Sequence, residues 1–177
     1  MSKTSAVDPL LVMIDQAYDR KSWHGTNLRG SIRRVPLSVA AWRPAPGRHN
    51  TWEIVVHAAY WKYAVWRRLA GAARGSFPLG GSNWFERPSE LTDAAWRRDL
   101  SLLGQMHLQL REAVAALGER DLARTPEGGA VTVLDLVAGV AAHDLYHAGQ
   151  IQLLKRLCPA GIKSAPARHS EPGERRP

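Results

Sequence analysis

A single cysteine, Cys158, stands among 177 residues. One thiol excludes an internal disulfide framework and any zinc cluster built from several cysteines. Long apolar runs are also missing: charges interrupt every candidate segment short of the roughly 20 residues that span a bilayer. The first residues, MSKTSAVDPL, lack the apolar stretch of a secretory signal, so a cytoplasmic location is the expectation. No strand-type alternation competes with the helical periods, and no internal repeat is evident. Acidic residues are outnumbered, 16 against 24 Lys and Arg, which gives a net charge of +8.

Such an excess raises nucleic acid as a partner. The charges are dispersed, however: Arg33-Arg34, Arg67-Arg68, Arg97-Arg98 and Arg175-Arg176 fall in four separate segments. We read the excess as solubility plus a basic tail, and set a dedicated nucleic-acid site aside. The length suits one buried core. The expected division is a helical domain over 1–158 and a tail over 159–177. Beyond Lys163 the run SAPARHSEPGERRP offers almost nothing to bury and is expected to be disordered.

Four long amphipathic stretches fill the domain. The first opens with Asp8 as a cap, Pro9 at the first helical position and Val7 stapled onto Val12. It weakens near Asp19 to Trp23, resumes through Leu28 and Ile32, and ends at Pro36. A connection with a short turn around Val39 to Trp42 follows. The second helix starts at Asn50, with Glu53 in capping-box register, and stops near Gly71. Residues 72–88 are rich in Gly and Pro and read as a loop. The third starts near Thr92 and carries a stripe of Trp96, Leu100, Leu103, His107, Leu110 and Val114. The fourth is capped by Thr132, with Asp135 three residues on, and runs to about Leu157.

The expected fold is therefore all-α, a four-helix bundle. The 72–88 loop is long enough to return along a helix of roughly 30 Å, because an extended chain covers about 3.3 Å per residue. The second and third helices can then run parallel, in an up-down-down-up order.

Two of the seven histidines, His143 and His147, lie four apart on the inward stripe of the fourth helix. Neutral imidazoles one turn apart can share a transition-metal ion, although two hydrogen-bonded core histidines fit the same spacing. His57, on the second helix between Glu53 and Trp61, is the candidate third ligand. In the up-down-down-up order its height approximately meets that of His143 and His147.

The segments HNTWEIVVHAAYWKYAVWRRL and GVAAHDLYHAGQIQLLKRL resemble the DinB-like family of bacterial metal-binding four-helix bundles. His57, paired with the H-D-x-Y-H-x-x-Q-I pattern at His143 to Ile151, is the most specific part. The resemblance implies an up-down-down-up bundle in which His57, His143 and His147 bind a divalent metal: zinc, nickel or iron. It also implies a metal-dependent transferase of low-molecular-weight thiols such as bacillithiol or mycothiol, or a related hydrolase, with homodimers common. A non-catalytic metal- or ligand-binding bundle is the alternative.

The remaining candidates carry less. The H-D pair at His143-Asp144 lacks the further ligands of an HD phosphohydrolase, and Asp144 is too short for the glutamate of H-E-x-x-H. Asp144 is read as a residue behind the ligands or facing solvent, and Gln150 as a partner for a ligand histidine. Glu53 is explained by its cap, and His107 by the core, where its hydrogen bonds should be satisfied. His24 and His49 could line the mouth of the site, with Trp84 over it, while His169 belongs to the tail.

Overall fold

The structure, a computed structural model, describes residues 5–163; His169 and the tail beyond Lys163 lie outside the described residues. Among the described residues every regular element is helical. The order is α1 (Val7–Tyr18), α2 (Leu28–Ile32), α3 (Leu37–Ala41), α4 (Thr51–Ala70), α5 (Asp93–Ala115), a 3-10 turn (Glu119–Asp121), α6 (Val133–Leu157) and α7 (Ala160–Lys163). None of these helices is long and apolar enough to cross a membrane.

The long helices begin where their caps dictate. The Asn50 side chain accepts the Glu53 N–H at 2.8 Å, and the Glu53 carboxylate accepts the Asn50 N–H at 3.3 Å. Thr132 and Asp135 repeat that reciprocal pair on α6, at 3.2 and 3.0 Å. Each such cap satisfies amide donors that have no partner inside the helix. Helix α4 stops at Gly71, whose φ of 65° suits a residue without Cβ.

The start of α1 departs from expectation. Ala6, not Asp8, occupies the cap position. Ser5 Oγ accepts the Val7 N–H at 3.2 Å, and Asp8 accepts the Ser5 N–H at 3.0 Å from inside the first turn. The Val7–Val12 staple does not form. Val7 is buried with Leu10 and Val133 in the core, whereas Val12 is 52% exposed.

Side-chain pairings fix the direction of the long helices. Trp52, near the start of α4, donates to Asp99 near the start of α5 at 2.6 Å and packs on Trp96. Val65, near the end of α4, shares a core cluster with Leu110 and Val114 near the end of α5. These two helices therefore run in the same sense. Helix α1 opposes α5: Asp15 pairs with Arg111 at 2.7 Å, and the later Tyr18 stacks on the earlier His107. Helix α6 opposes α4, since His57 meets His147 while Val65 clusters with Val137 and Val140.

The loop joining α4 to α5 is irregular but anchored. Phe77 and Phe85 are buried against Tyr60, with ring centroids 5.4 and 5.6 Å away. Arg87 closes its far end, accepting from Asn50 Nδ2 at 2.7 Å and donating to Asp99 at 2.9 Å. This anchoring holds Asn83 and Trp84 over the face of α4 that carries His57.

Candidate metal centre

His57 from α4 and His143 and His147 from α6 come together, with ligand nitrogens all within 4.8 Å of one another. His143 Nε2 lies 3.1 Å from His57 Nε2 and 3.0 Å from His147 Nε2. The outer nitrogens are held from behind. His57 Nδ1–H donates to the Asn83 carbonyl at 2.8 Å, and His147 Nδ1–H donates to Gln150 Oε1 at 2.7 Å. A neutral ring with its proton on Nδ1 presents a lone pair at Nε2, so both rings turn acceptors inward.

Such an arrangement is short of protons. Without a cation, one proton on His143 Nε2 must serve both neighbours, and His143 Nδ1, buried and without a partner among the described residues, is left bare. A divalent ion accepts all three lone pairs at once. The observed nitrogen spacing suits imidazoles sharing an ion about 2.0–2.1 Å from each. The donor set therefore fits a metal.

Electrostatics favour the neutral, ligating form. Burial pushes the His57 imidazole down to about 4 and that of His143 to about 3, and lowers His147 as well. His107, elsewhere in the core, is pushed to about 3 by burial and then by Lys62. The unfolded chain has these rings nearer 6.5, so between that value and the folded ones it binds more protons than the native state. Stability is then fully present above about pH 6.5 and is lost as pH falls through about 4 toward about 3. For metal-free protein, the urea midpoint should drop between about pH 7.5 and about pH 5; an unchanged midpoint would contradict burial of neutral rings.

The surroundings are aromatic. Trp84 lies flat on His57, centroids 3.8 Å apart at 10°, and His49 stacks on Trp84 at 3.6 Å and 4°. Trp84 therefore covers the site, as the sequence suggested, and His49 reaches it only through that indole. His24 is exposed before α2 and is not among the clustered groups. Gln150 takes its expected place behind His147.

Two carboxylates near the histidines in sequence are otherwise engaged. Glu53 is bonded by Arg43, His49 and the backbone of Asn50 and Arg87. Burial would raise its carboxyl, but the bonds from Arg43 and His49 outweigh that and hold it low. Asp144 neither faces solvent nor supports a ligand. It is 1% exposed and forms an ion pair with the equally buried Lys62, whose Nζ sits 5.0 Å over the Tyr18 ring. His107 is buried as expected, but it is not satisfied: its Nδ1 has no partner among the described residues.

Asn83 holds His57 in place and was not among the residues expected at the site. Its φ is 64°, its carbonyl holds His57, and its side chain accepts the Trp61 indole N–H at 3.0 Å. Asparagine tolerates this left-handed region better than most residues. The G-G-S-N run was the available signal for a sharp turn, although it could not show what that turn would hold.

No curated protein matches the chain, and no solved structure does. The sequence profile of the DinB superfamily matches residues 22–151, well over half of its length. That span takes in all three clustered histidines together with the loop that carries Asn83 and Trp84, and by this match the chain belongs to the DinB superfamily.

Proposed function

We propose that the chain holds one divalent transition-metal ion (zinc, nickel or iron) on Nε2 of His57, His143 and His147, and transfers a low-molecular-weight thiol to a small electrophile. The observation that carries this reading is the convergence of three neutral imidazole nitrogens, two of them fixed from behind by Asn83 and Gln150. Three protein ligands leave a position open, which is the pattern of reactive rather than structural sites. A bound ion would supply Lewis acidity, lowering the pKa of a thiol or water in that position.

The neighbouring residues favour a thiol over water. Attack by water commonly enlists a separate base, and the carboxylates near the histidines in sequence, Glu53 and Asp144, are tied to Arg43 and Lys62. A thiol starts near pKa 8.5 and needs little help to ionise beside a cation. Trp84 shields the His57 side from water. A cleft of about 510 Å³ lined by Tyr60, Trp61, Phe77, Arg67, Arg68 and Arg74 adjoins the site through Trp61, whose ring centre is 6.1 Å from that of His143. Its guanidinium groups suit a thiol that bears carboxylates.

The test loads the protein with each candidate metal and assays thiol consumption against small electrophiles. Turnover with one metal, absent after chelation, supports transfer; tight metal binding without turnover would make this a metal-binding protein only. Gln150→Leu should weaken metal affinity by about 10–100-fold, since it frees the proton that orients His147. Metal-competition titration checks it, and an affinity within about twofold of wild type would count against the tautomer argument.

We also propose a homodimer formed through α6. Its outer face presents Ala142, Tyr146, Gly149 and Leu153, with Tyr146 64% and Leu153 57% exposed and no charged residue among them. Small residues let two helices approach closely, and exposed apolar faces mark association sites. Sedimentation should show a dimer that Ala142→Arg converts to monomer; a wild-type monomer at high concentration would end the proposal.

A further inference from the structure

A second cleft, of about 660 Å³, opens between α5 and the corner formed by α1 and α2. None of the three clustered histidines lines it, so the cleft is separate from the metal site. Three of its lining residues are buried, the apolar Ile32 and two that carry polar atoms: Tyr18 at 5% exposure and His107 at 3%. They stack on one another with centroids 3.7 Å apart at 20°.

His107 has an unmet polar requirement. Its Nδ1 is buried without a partner, and Tyr18 Oη and His107 Nε2 make no hydrogen bond to the described residues. Buried polar side chains nearly always find partners, and a phenylalanine would stack on Tyr18 without leaving a nitrogen unpaired. Nδ1 is closed off from the cleft, but His107 Nε2 and Tyr18 Oη, unbonded within the described residues and not closed off, form a polar edge that a molecule entering the cleft can bond.

The rim indicates the charge of that ligand. Arg29, Arg33 and Arg34 line the cleft against a single carboxylate, Asp19, which already pairs with Arg29 at 3.2 Å. Arg33 and Arg34 have no carboxylate partner among the described residues. Arg34 also sits at φ 56°, a conformation seldom adopted by a residue with Cβ and retained mostly where geometry has a use. The wall that α5 contributes sets the apolar Leu100 and Leu108 beside Ser101, Gly104 and Gln105.

We propose that this cleft binds a small organic anion. Its carboxylate or phosphate is held by Arg33 and Arg34, its apolar body rests on Leu100 and Leu108, and a polar atom bonds Tyr18 Oη and His107. Arginine forks match both acidic heads, and a mostly apolar pocket with a few convergent polar groups is the common form of small-molecule sites.

Calorimetric titration of the full chain with 4-hydroxybenzoate and with 4-hydroxyphenyl phosphate tests this, with 4-hydroxybenzyl alcohol as the neutral control; the ring hydroxyl is the polar atom that meets Tyr18 and His107. At least one anion should bind saturably, and the neutral alcohol at least about tenfold more weakly. Binding of 4-hydroxybenzoate points to a carboxylate head, binding of 4-hydroxyphenyl phosphate to a phosphate head. His107→Phe, which preserves the stacking, should raise the dissociation constant about tenfold, and so should the surface pair Arg33→Ala with Arg34→Gly. If His107→Phe fails to fold, the surface pair carries the test alone. His147→Ala should leave binding unchanged. The proposal is overturned if neither anion saturates, if binding survives the arginine replacements intact, or if it disappears in His147→Ala, which would place the anion at the histidine cluster.

Discussion

Replacing His147 with alanine should leave the purified chain without metal, where wild type retains about one ion per chain after dialysis and refilling. His57→Ala should do the same, because each variant reduces three converging nitrogens to two. The readout is elemental analysis, paired with thermal unfolding with and without added metal. A ligand that binds only the folded state stabilises by about 2.7 kcal/mol at one hundred times its dissociation constant. Wild type should therefore melt several degrees higher when loaded, and neither variant should respond. Full occupancy in either variant would show that the ion sits elsewhere.

The second large effect concerns Lys62 and Asp144. Taking two charges out of water is costly, and removing one partner leaves the other buried and unpaired, which costs about 3–5 kcal/mol. Lys62→Met should destabilise the fold by that amount, a large share of the roughly 5–15 kcal/mol that a domain of this kind has. Burial already raises the Asp144 carboxyl against the pull of Lys62. In the variant Asp144 can take up a proton instead, so the deficit should shrink as pH falls. Adding Asp144→Leu should recover most of the loss, because two apolar side chains then fill the space of the pair. Urea unfolding of the single and double variants measures this coupling. A single variant within about 1 kcal/mol of wild type would show that the pair is better solvated than its 1% exposure suggests.

The pair also shows where reading the sequence stops. Lys62 stands in HAAYWKYAVWRRL, where a lysine between aromatic residues looks like the solvated edge of a helix, and Asp144 follows a histidine on a helix of its own. Nothing local couples positions 82 apart; only the packing of α4 against α6 buries both and makes each the other's partner. His107 failed in a related way. Its place on the inward stripe of the third helix correctly marked it as buried, but the stripe could not show that a tyrosine face, rather than a hydrogen-bond donor, would meet it.

Local chemistry determined much else. The caps at Asn50–Glu53 and Thr132–Asp135 are four-residue interactions, so the starts of α4 and α6 could be read from the chain and lie where expected. The break after α1, the return to helix at Leu28 and the stop at Gly71 follow from turn and glycine signals of the same range. The start of α1 did not follow, because Ser5 supplied a competing side-chain acceptor two residues before Val7. On α6, the spacing of four residues put His143 and His147 on one face without reference to any other element.

By itself, then, the sequence determined the helices, most of their ends, the His143–His147 pair and, through its match to the DinB superfamily, the kind of protein this is. His57 and Trp84 were candidates in the sequence, but tertiary structure alone decided that the Asn83 carbonyl would hold His57 and that Lys62 and Asp144 would pair in the core. The division has a physical cause. Caps and helical periods depend on residues three or four apart, whereas the direction of a nitrogen lone pair or the burial of a charge depends on what distant segments place beside it.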